Sequence, residues 1–150
     1  GVNTQLNSSN LGFHVISKYL GANLITINET EMRHELRNKI DDRASLIKTL
    51  SKKLKSNYTH VTSGEEGSFI YNNSTNEIIN CPAFANKIVD KVGAGDTLYA
   101  LTALAFSVNM PHDLAMLLGS FAASGTVASV GNSKSLDKNS MYKMIETVFK

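Results

Sequence analysis

Residues 22–28 read ANLITIN, a short and continuous apolar run. A run of that length without polar alternation suits a strand covered on both faces, as in the parallel sheet of an α/β domain. The neighbouring segments fit the same architecture. ETEMRHELR (29–37) has helical composition. DDRASLIKTLSKKLKS (41–56) spaces Leu46, Leu50 and Leu54 four apart with Ile47 beside them, an amphipathic helix. Asp41 and Asp42 stand at its start, where carboxylates suit the helix dipole. YTHVTS (58–63) is the next strand and GEEG (64–67) a turn. SFIYN and NEIIN flank the turn-rich NSTN and read as a β-hairpin. Strands alternating with helices, plus one hairpin, predict an α/β fold with a mainly parallel sheet.

The remaining segments read as helices. Phe13, Ile16 and Leu20 share helical spacing, which predicts a helix over 9–20. A helix is expected from Thr97 to about Val108, with a break at Pro111. HDLAMLLGSFAASGTVASV (112–130) is a second helix, rich in Ala, Ser and Gly, able to approach its neighbours closely. KNSMYKMIETVFK (138–150) closes the chain with Met141, Met144, Ile145 and Val148 on one face. Repeats, low-complexity tracts and linkers are not evident.

Composition bounds the function classes. The chain has 150 residues, 42% hydrophobic, the size of one ordinary domain. Fifteen basic against thirteen acidic residues leave a net charge of +2, too balanced to argue for nucleic acid or a membrane surface as partner. The basic stretch KTLSKKLKS (48–56) reads as the wet face of a helix rather than a phosphate patch. Cys81 is the single cysteine, so no internal disulfide can form and a cytoplasmic setting is expected. With no acid or histidine nearby, it reads as packing. No window approaches the eighteen apolar residues of a membrane span. His14, His34, His60 and His112 lack metal-ligand spacing, and Tyr99 reads as core. The opening at Gly1-Val2 without Met suggests a piece of something longer.

The chemistry concentrates in DKVGAGDTLYAL (90–101). Gly93 and Gly95 allow backbone N–H groups to approach a ligand closely, and the helix behind them directs its positive end at the same spot. Together these make an anion hole, with Asp96 inside it. One reading makes Asp96 a general base that takes a proton from a hydroxyl while the amides hold the phosphoryl group under attack. The other makes it a helix cap. The third glycine of a G-x-G-x-x-G fingerprint is missing, and no G-K-[ST] is present for a Walker P-loop.

DKVGAGDTLYA resembles the C-terminal signature of the PfkB, or ribokinase-like, carbohydrate kinases, usually close to D-T-x-G-A-G-D. The resemblance implies that Asp96 is the catalytic base and that Gly93, Ala94 and Gly95 form the anion hole. NETE (28–31) resembles the family's N-x-x-E motif, in which Asn28 and Glu31 would order magnesium and the ATP phosphates through water. TSGEEG (62–67) resembles the T-x-G-x-x-G loop, placing Thr62, Gly64 and Gly67 along the nucleotide. Gly131 falls where the family has a glycine near the nucleotide. Asp90 matches a residue around which many members build a monovalent-cation loop, implying K+ beside ATP and Mg2+. Lys91 departs from the family pattern next to it, as does Leu101. For Asn28 and Glu31 the plain alternatives are a cap residue and a solvated helix residue, and for the glycine loop a strand-to-hairpin turn.

The resemblance spans about 22–150. It implies a three-layer αβα ribokinase-like fold with a mainly parallel sheet, of which 1–150 would be one partial domain: the nucleotide-binding C-terminal half, without the sugar-binding half and lid. The segment before Ala22 is similar to the middle of PfkB kinases close to the heptose-phosphate kinases, some of which are fused to a nucleotidyltransferase. The expected function is ATP-dependent phosphoryl transfer to a hydroxyl of a sugar or sugar phosphate. The fragment alone would be inactive, and truncation would favour homo-oligomers by exposing sheet edges. A non-catalytic nucleotide-binding or regulatory module, and an α/β domain whose glycine turn is purely structural, are the alternatives.

Overall fold

The structure, a computed structural model, describes residues 1–4, 15–84, 92–127 and 137–148. The chain divides into two compact units, 1–80 and 81–150.

The first unit is built on a sheet. Strands β1 (Val2–Asn3), β2 (Leu24–Asn28), β3 (Tyr58–Thr62), β4 (Ser68–Asn72) and β5 (Glu77–Cys81) lie in sequence order, β5 running to the boundary between the units. The sheet is mixed. β1 and β3 flank β2 in parallel, and β4 returns antiparallel to β3. The expected hairpin is present, with β4 and β5 joined through 73–76. The apolar run at 22–28 behaves as its composition requires: Leu24, Ile25, Thr26 and Ile27 are all buried. Parallel neighbours need a crossover, supplied between β2 and β3 by helices α1 (Glu29–Leu36) and α2 (Arg43–Leu54).

α2 buries the stripe expected from its spacing. Leu46, Ile47, Leu50 and Leu54, with Met32 of α1, pack on Ile25, Ile27, Val61 and Tyr71 of the strands. Each fully buried aliphatic side chain contributes about 1.5–3 kcal/mol, so this cluster is the main stabilising element of the unit. Asp42 is the N-cap and accepts from Ser45 N–H, whereas Asp41 turns to Asn38. Lys52, Lys53 and Lys55 stand on the solvated face, Lys53 paired with Glu35.

Two departures from expectation precede β2. The short edge strand β1 carries no periodicity that two residues could display. Of the helix expected over 9–20, residues 9–14 lie outside the described residues, and 15–20 contain only a 3-10 turn at Ile16–Lys18. Ile16 enters the core, but Leu20 is exposed, so the helical spacing of the pair is coincidental. Gly21, in the left-handed region at φ 74°, ends the turn and donates its N–H to the Leu54 carbonyl.

His60, central in β3, is fully buried. Neither ring nitrogen has a hydrogen-bond partner among the described residues. Burial pushes its pKa down to about 4, so the ring is neutral and apolar in effect.

The second unit contains helices α3 (Ala94–Ser107), α4 (His112–Val127) and α5 (Lys138–Val148). α3 begins three residues earlier than expected, taking Ala94, Gly95 and Asp96 into its first turn. The Pro111 break falls between α3 and α4 as predicted. The small residues of α4 allow close approach: a Cβ on Gly119 would lie 2.3 Å from Thr102 Oγ1 and 3.0 Å from the Leu98 carbonyl of α3. Cys81 is buried with Sγ 3.4 Å from Ser120 Oγ, a packing role as read from the sequence. Met141, Met144 and Ile145 form the half-buried face of α5. Among the described residues no helix is long and apolar enough to cross a membrane.

Candidate functional site

A cleft of about 520 Å³ opens at the carboxyl ends of β2 and β3, the end of parallel strands where α/β sheets bind ligands. Its volume is that of a small-molecule pocket. Asn28 ends β2 and Thr62 ends β3; the two are register partners, and with Gly64 they line the cleft. Three residues singled out by sequence are thereby brought together.

Asn28 and Glu31 form a capping box at the start of α1. Asn28 Oδ1 accepts from Glu31 N–H at 2.8 Å, and Glu31 Oε2 accepts from Asn28 N–H at 3.0 Å. Glu31 Oε2 also accepts from the Thr4 hydroxyl at 2.9 Å. The plain alternative of a cap therefore describes Asn28, but Glu31 is not a solvated helix residue: it is 6% exposed. Engaged in this way, Asn28 Oδ1 and Glu31 Oε2 fit a cation held through its own waters better than one bound directly. No group of three metal-ligating side chains occurs among the described residues.

Gly64 and Gly67 bracket the turn after β3 for conformational reasons. Gly64 has φ 57°, and Gly67 has φ 89° with ψ −138°, a combination reserved for glycine. Gly67 is buried and closes the turn: its N–H donates to Gly64, and its carbonyl accepts from Ser63 N–H.

The other lining side chains form a charge network that carries no sequence signature, because its members are scattered along the chain. Glu29 accepts from Arg33 at 2.7 Å, from Arg43 at 2.7 Å and from the Ser63 hydroxyl at 2.6 Å. Arg43 also donates to Ser63 Oγ at 3.0 Å and to Glu66 at 2.6 Å. Burial opposes ionisation of Glu29, but the Ser63, Arg33 and Arg43 contacts outweigh it and bring its pKa to about 2. A carboxyl held below its unfolded value stabilises the fold above that value and loses the contribution as pH falls from about 4.5 towards 2. Urea midpoints of wild type and Glu29→Gln, measured across that window, are expected to converge as pH drops. A constant gap would contradict the network.

The glycine turn belongs to the second unit. Gly93 is the N-cap of α3 in the left-handed region, φ 81°, a conformation that favours glycine. The helical ladder starts with Thr97 N–H on the Gly93 carbonyl at 3.0 Å, reinforced by the Thr97 hydroxyl at 2.9 Å. The N–H groups of Ala94, Gly95 and Asp96 thus lie ahead of the ladder at the positive end of α3. A Cβ on Gly95 would meet nothing within 4 Å among the described residues. Asp96 stands at the third helical position, exposed, and not at the N-cap. Asp90 and Gly131 lie outside the described residues.

Comparison with known proteins places the chain in a family. The pfkB family carbohydrate kinase pattern matches residues 2–139. The bifunctional protein HldE of Helicobacter pylori strain ATCC 700392 / 26695 is 37% identical over 121 residues, covering 77% of this chain and 25% of the relative. HldE of Wolinella succinogenes is 33% identical over 119 residues, covering 77% of this chain and 24% of the relative. The chain therefore spans about a quarter of the length of the curated relatives it matches. Among solved structures, Arabidopsis thaliana ribokinase complexed with ribose and ATP superposes with a TM-score of 0.73 at 24% identity, over 83% of this chain and 41% of that one. Escherichia coli phosphofructokinase-2 in complex with potassium superposes with a TM-score of 0.75 at 15% identity, over 89% and 43%. At those identities the likeness is one of fold: α/β and ribokinase-like.

Proposed function

The chain belongs to the pfkB family of carbohydrate kinases, and from that premise we propose that it forms the nucleotide-binding and phosphoryl-transfer portion of an ATP-dependent kinase acting on a hydroxyl of a sugar or sugar phosphate. The observation that carries the reading is the start of α3: a left-handed glycine, amides ahead of the helical ladder, and a carboxylate in the first turn.

In this reading Asp96 accepts the proton of the acceptor hydroxyl as its oxygen bonds to the transferring phosphorus and the bond to the ADP oxygen breaks. The amides at Gly93–Gly95 and the positive end of α3 stabilise the charge on the transferred group. Thr62 and Gly64 would line the nucleotide, with Gly67 closing the turn that carries Gly64, and Asn28 and Glu31 would hold magnesium through water. Bound magnesium supplies neutralisation of phosphate charge. A monovalent cation near Asp90 belongs to the same proposal, as does a cytoplasmic setting. A heptose phosphate as acceptor belongs to the same proposal, and the relatives named bifunctional are in keeping with a second activity in a longer protein.

Calorimetric titration of the chain with ADP, with and without magnesium, tests the nucleotide site. Binding in the micromolar to millimolar range is expected, strengthened by magnesium. In a parallel titration with a non-hydrolysable ATP analogue, Gly95→Val, which adds bulk beside the amides assigned to the transferred group, is expected to weaken binding at least about tenfold, equivalent to about 1.4 kcal/mol. A folded chain that binds no ADP in either buffer rejects the nucleotide role.

A further inference from the structure

Arg43 sits at the first position of α2, directly after the Asp42 N-cap. A cation there opposes the helix dipole, so its presence calls for a tertiary reason. Its guanidinium reaches out of its own helix in four directions. It meets Glu29 of α1 at 2.7 Å, Ser63 Oγ at 3.0 Å and Glu66 at 2.6 Å, and it lies 4.3 Å over the centre of the Phe69 ring. A planar group with several fixed donors can hold such a constellation; a lysine ammonium cannot.

The segment it holds is anchored by the Thr62–Ser68 pairing of β3 with β4 and by the Ser63 hydroxyl, which donates to Glu29 at 2.6 Å. Gly64, Glu65 and Glu66 bring no apolar side chain into the core, and both glutamates are exposed. The turn between Ser63 and Gly67 closes on itself through three backbone bonds, Ser63 N–H to Gly67, Glu66 N–H to Ser63 and Gly67 N–H to Gly64. Its two glycines lower the cost of its backbone angles but raise the entropy lost in keeping them. Among the described residues, side-chain contacts from outside the turn come through Ser63, which donates to Glu29 and accepts from Arg43, and through Glu66, which accepts from Arg43.

We propose that Arg43 is a positioning residue that clamps the Ser63–Gly67 turn to the start of α1, and so presets the wall of the cleft for the nucleotide. The inference rests on the nucleotide reading of that cleft. Arg43 acts through the turn: it lowers the ordering that binding would otherwise require.

Two readouts separate the clamp from general stability. In Arg43→Met the amides of Glu66 and Gly67 are expected to exchange with solvent at least about tenfold faster, while those of Thr59 to Val61 in β3 stay protected. The Kd for ADP is expected to rise about tenfold, and Arg43→Lys to recover part of each effect. If Arg43→Met does not fold, Glu66→Ala, which removes an exposed partner only, is expected to loosen the same two amides. Unchanged turn amides overturn the proposal. So does a loosened turn with unaltered ADP affinity, which leaves the nucleotide reading intact. A folded wild-type chain that binds no ADP overturns the nucleotide reading itself and, with it, the role of the clamp in binding.

Discussion

Asp96→Asn, introduced into the intact protein that carries this chain, is expected to lower kcat by about 10²- to 10⁴-fold, the range lost when a general base is removed. ATP affinity is expected to stay within about threefold, a difference of roughly 0.6 kcal/mol. The split stems from position. Asp96 lies at the third residue of α3, behind the amides of Ala94 and Gly95; in the proposed reading it acts on the acceptor hydroxyl and not on the nucleotide. A purely structural carboxylate there would make a different prediction. At the third helical position it interacts with the dipole for about 0.3–1 kcal/mol, so the asparagine variant would lose a few degrees of Tm and keep its turnover. Steady-state kinetics with a sugar phosphate acceptor, beside a melting curve, separates the two. A variant that turns over at the wild-type rate would falsify the base assignment.

Gly119→Val is expected to destabilise the second unit strongly. The added Cβ would stand 2.3 Å from Thr102 Oγ1 and 3.0 Å from the carbonyl oxygen of Leu98. The hydroxyl can rotate, but the carbonyl is part of α3 and cannot move without bending the helix. The γ-methyl groups would enlarge the overlap. Overpacking of this kind costs about 3 kcal/mol, a large share of a domain's net stability. The expected result is a lower urea midpoint and loss of protection in α3 and α4, with the α1–α2 side of the first unit less affected. An unchanged midpoint would mean that the two helices are not in contact through Gly119.

Local composition carried much of this outcome. ANLITIN suited a covered strand and forms one, and four apolar positions of α2 matched the stripe that it buries. The Asn-rich turn at 73–76, where Asn76 takes a positive φ, and the glycines at 64 and 67 marked their turns through backbone angles that most residues resist. The glycine turn ahead of α3 was equally legible, because its conformation depends on residues adjacent in the chain. Its register was not. The helix takes in Ala94, Gly95 and Asp96, since Gly93 in the left-handed region can itself serve as the cap.

The sequence by itself therefore determined the α/β class, the order of the central elements and the motifs at the ends of β2 and β3. Those features depend on short-range periodicity and on glycine. Tertiary structure decided which acids and bases meet. Glu29, Arg33, Arg43, Ser63 and Glu66 form no motif along the chain. They become one network because parallel strands bring the ends of β2 and β3 side by side, with the starts of α1 and α2 beside them. Glu31 looked like a water-facing acid and is instead buried, because Thr4, on the chain beyond β1, and the Asn28 amide supply its hydrogen bonds. Ion pairing between residues far apart in the chain is set by how the backbone crosses over, and no local pattern encodes that crossing.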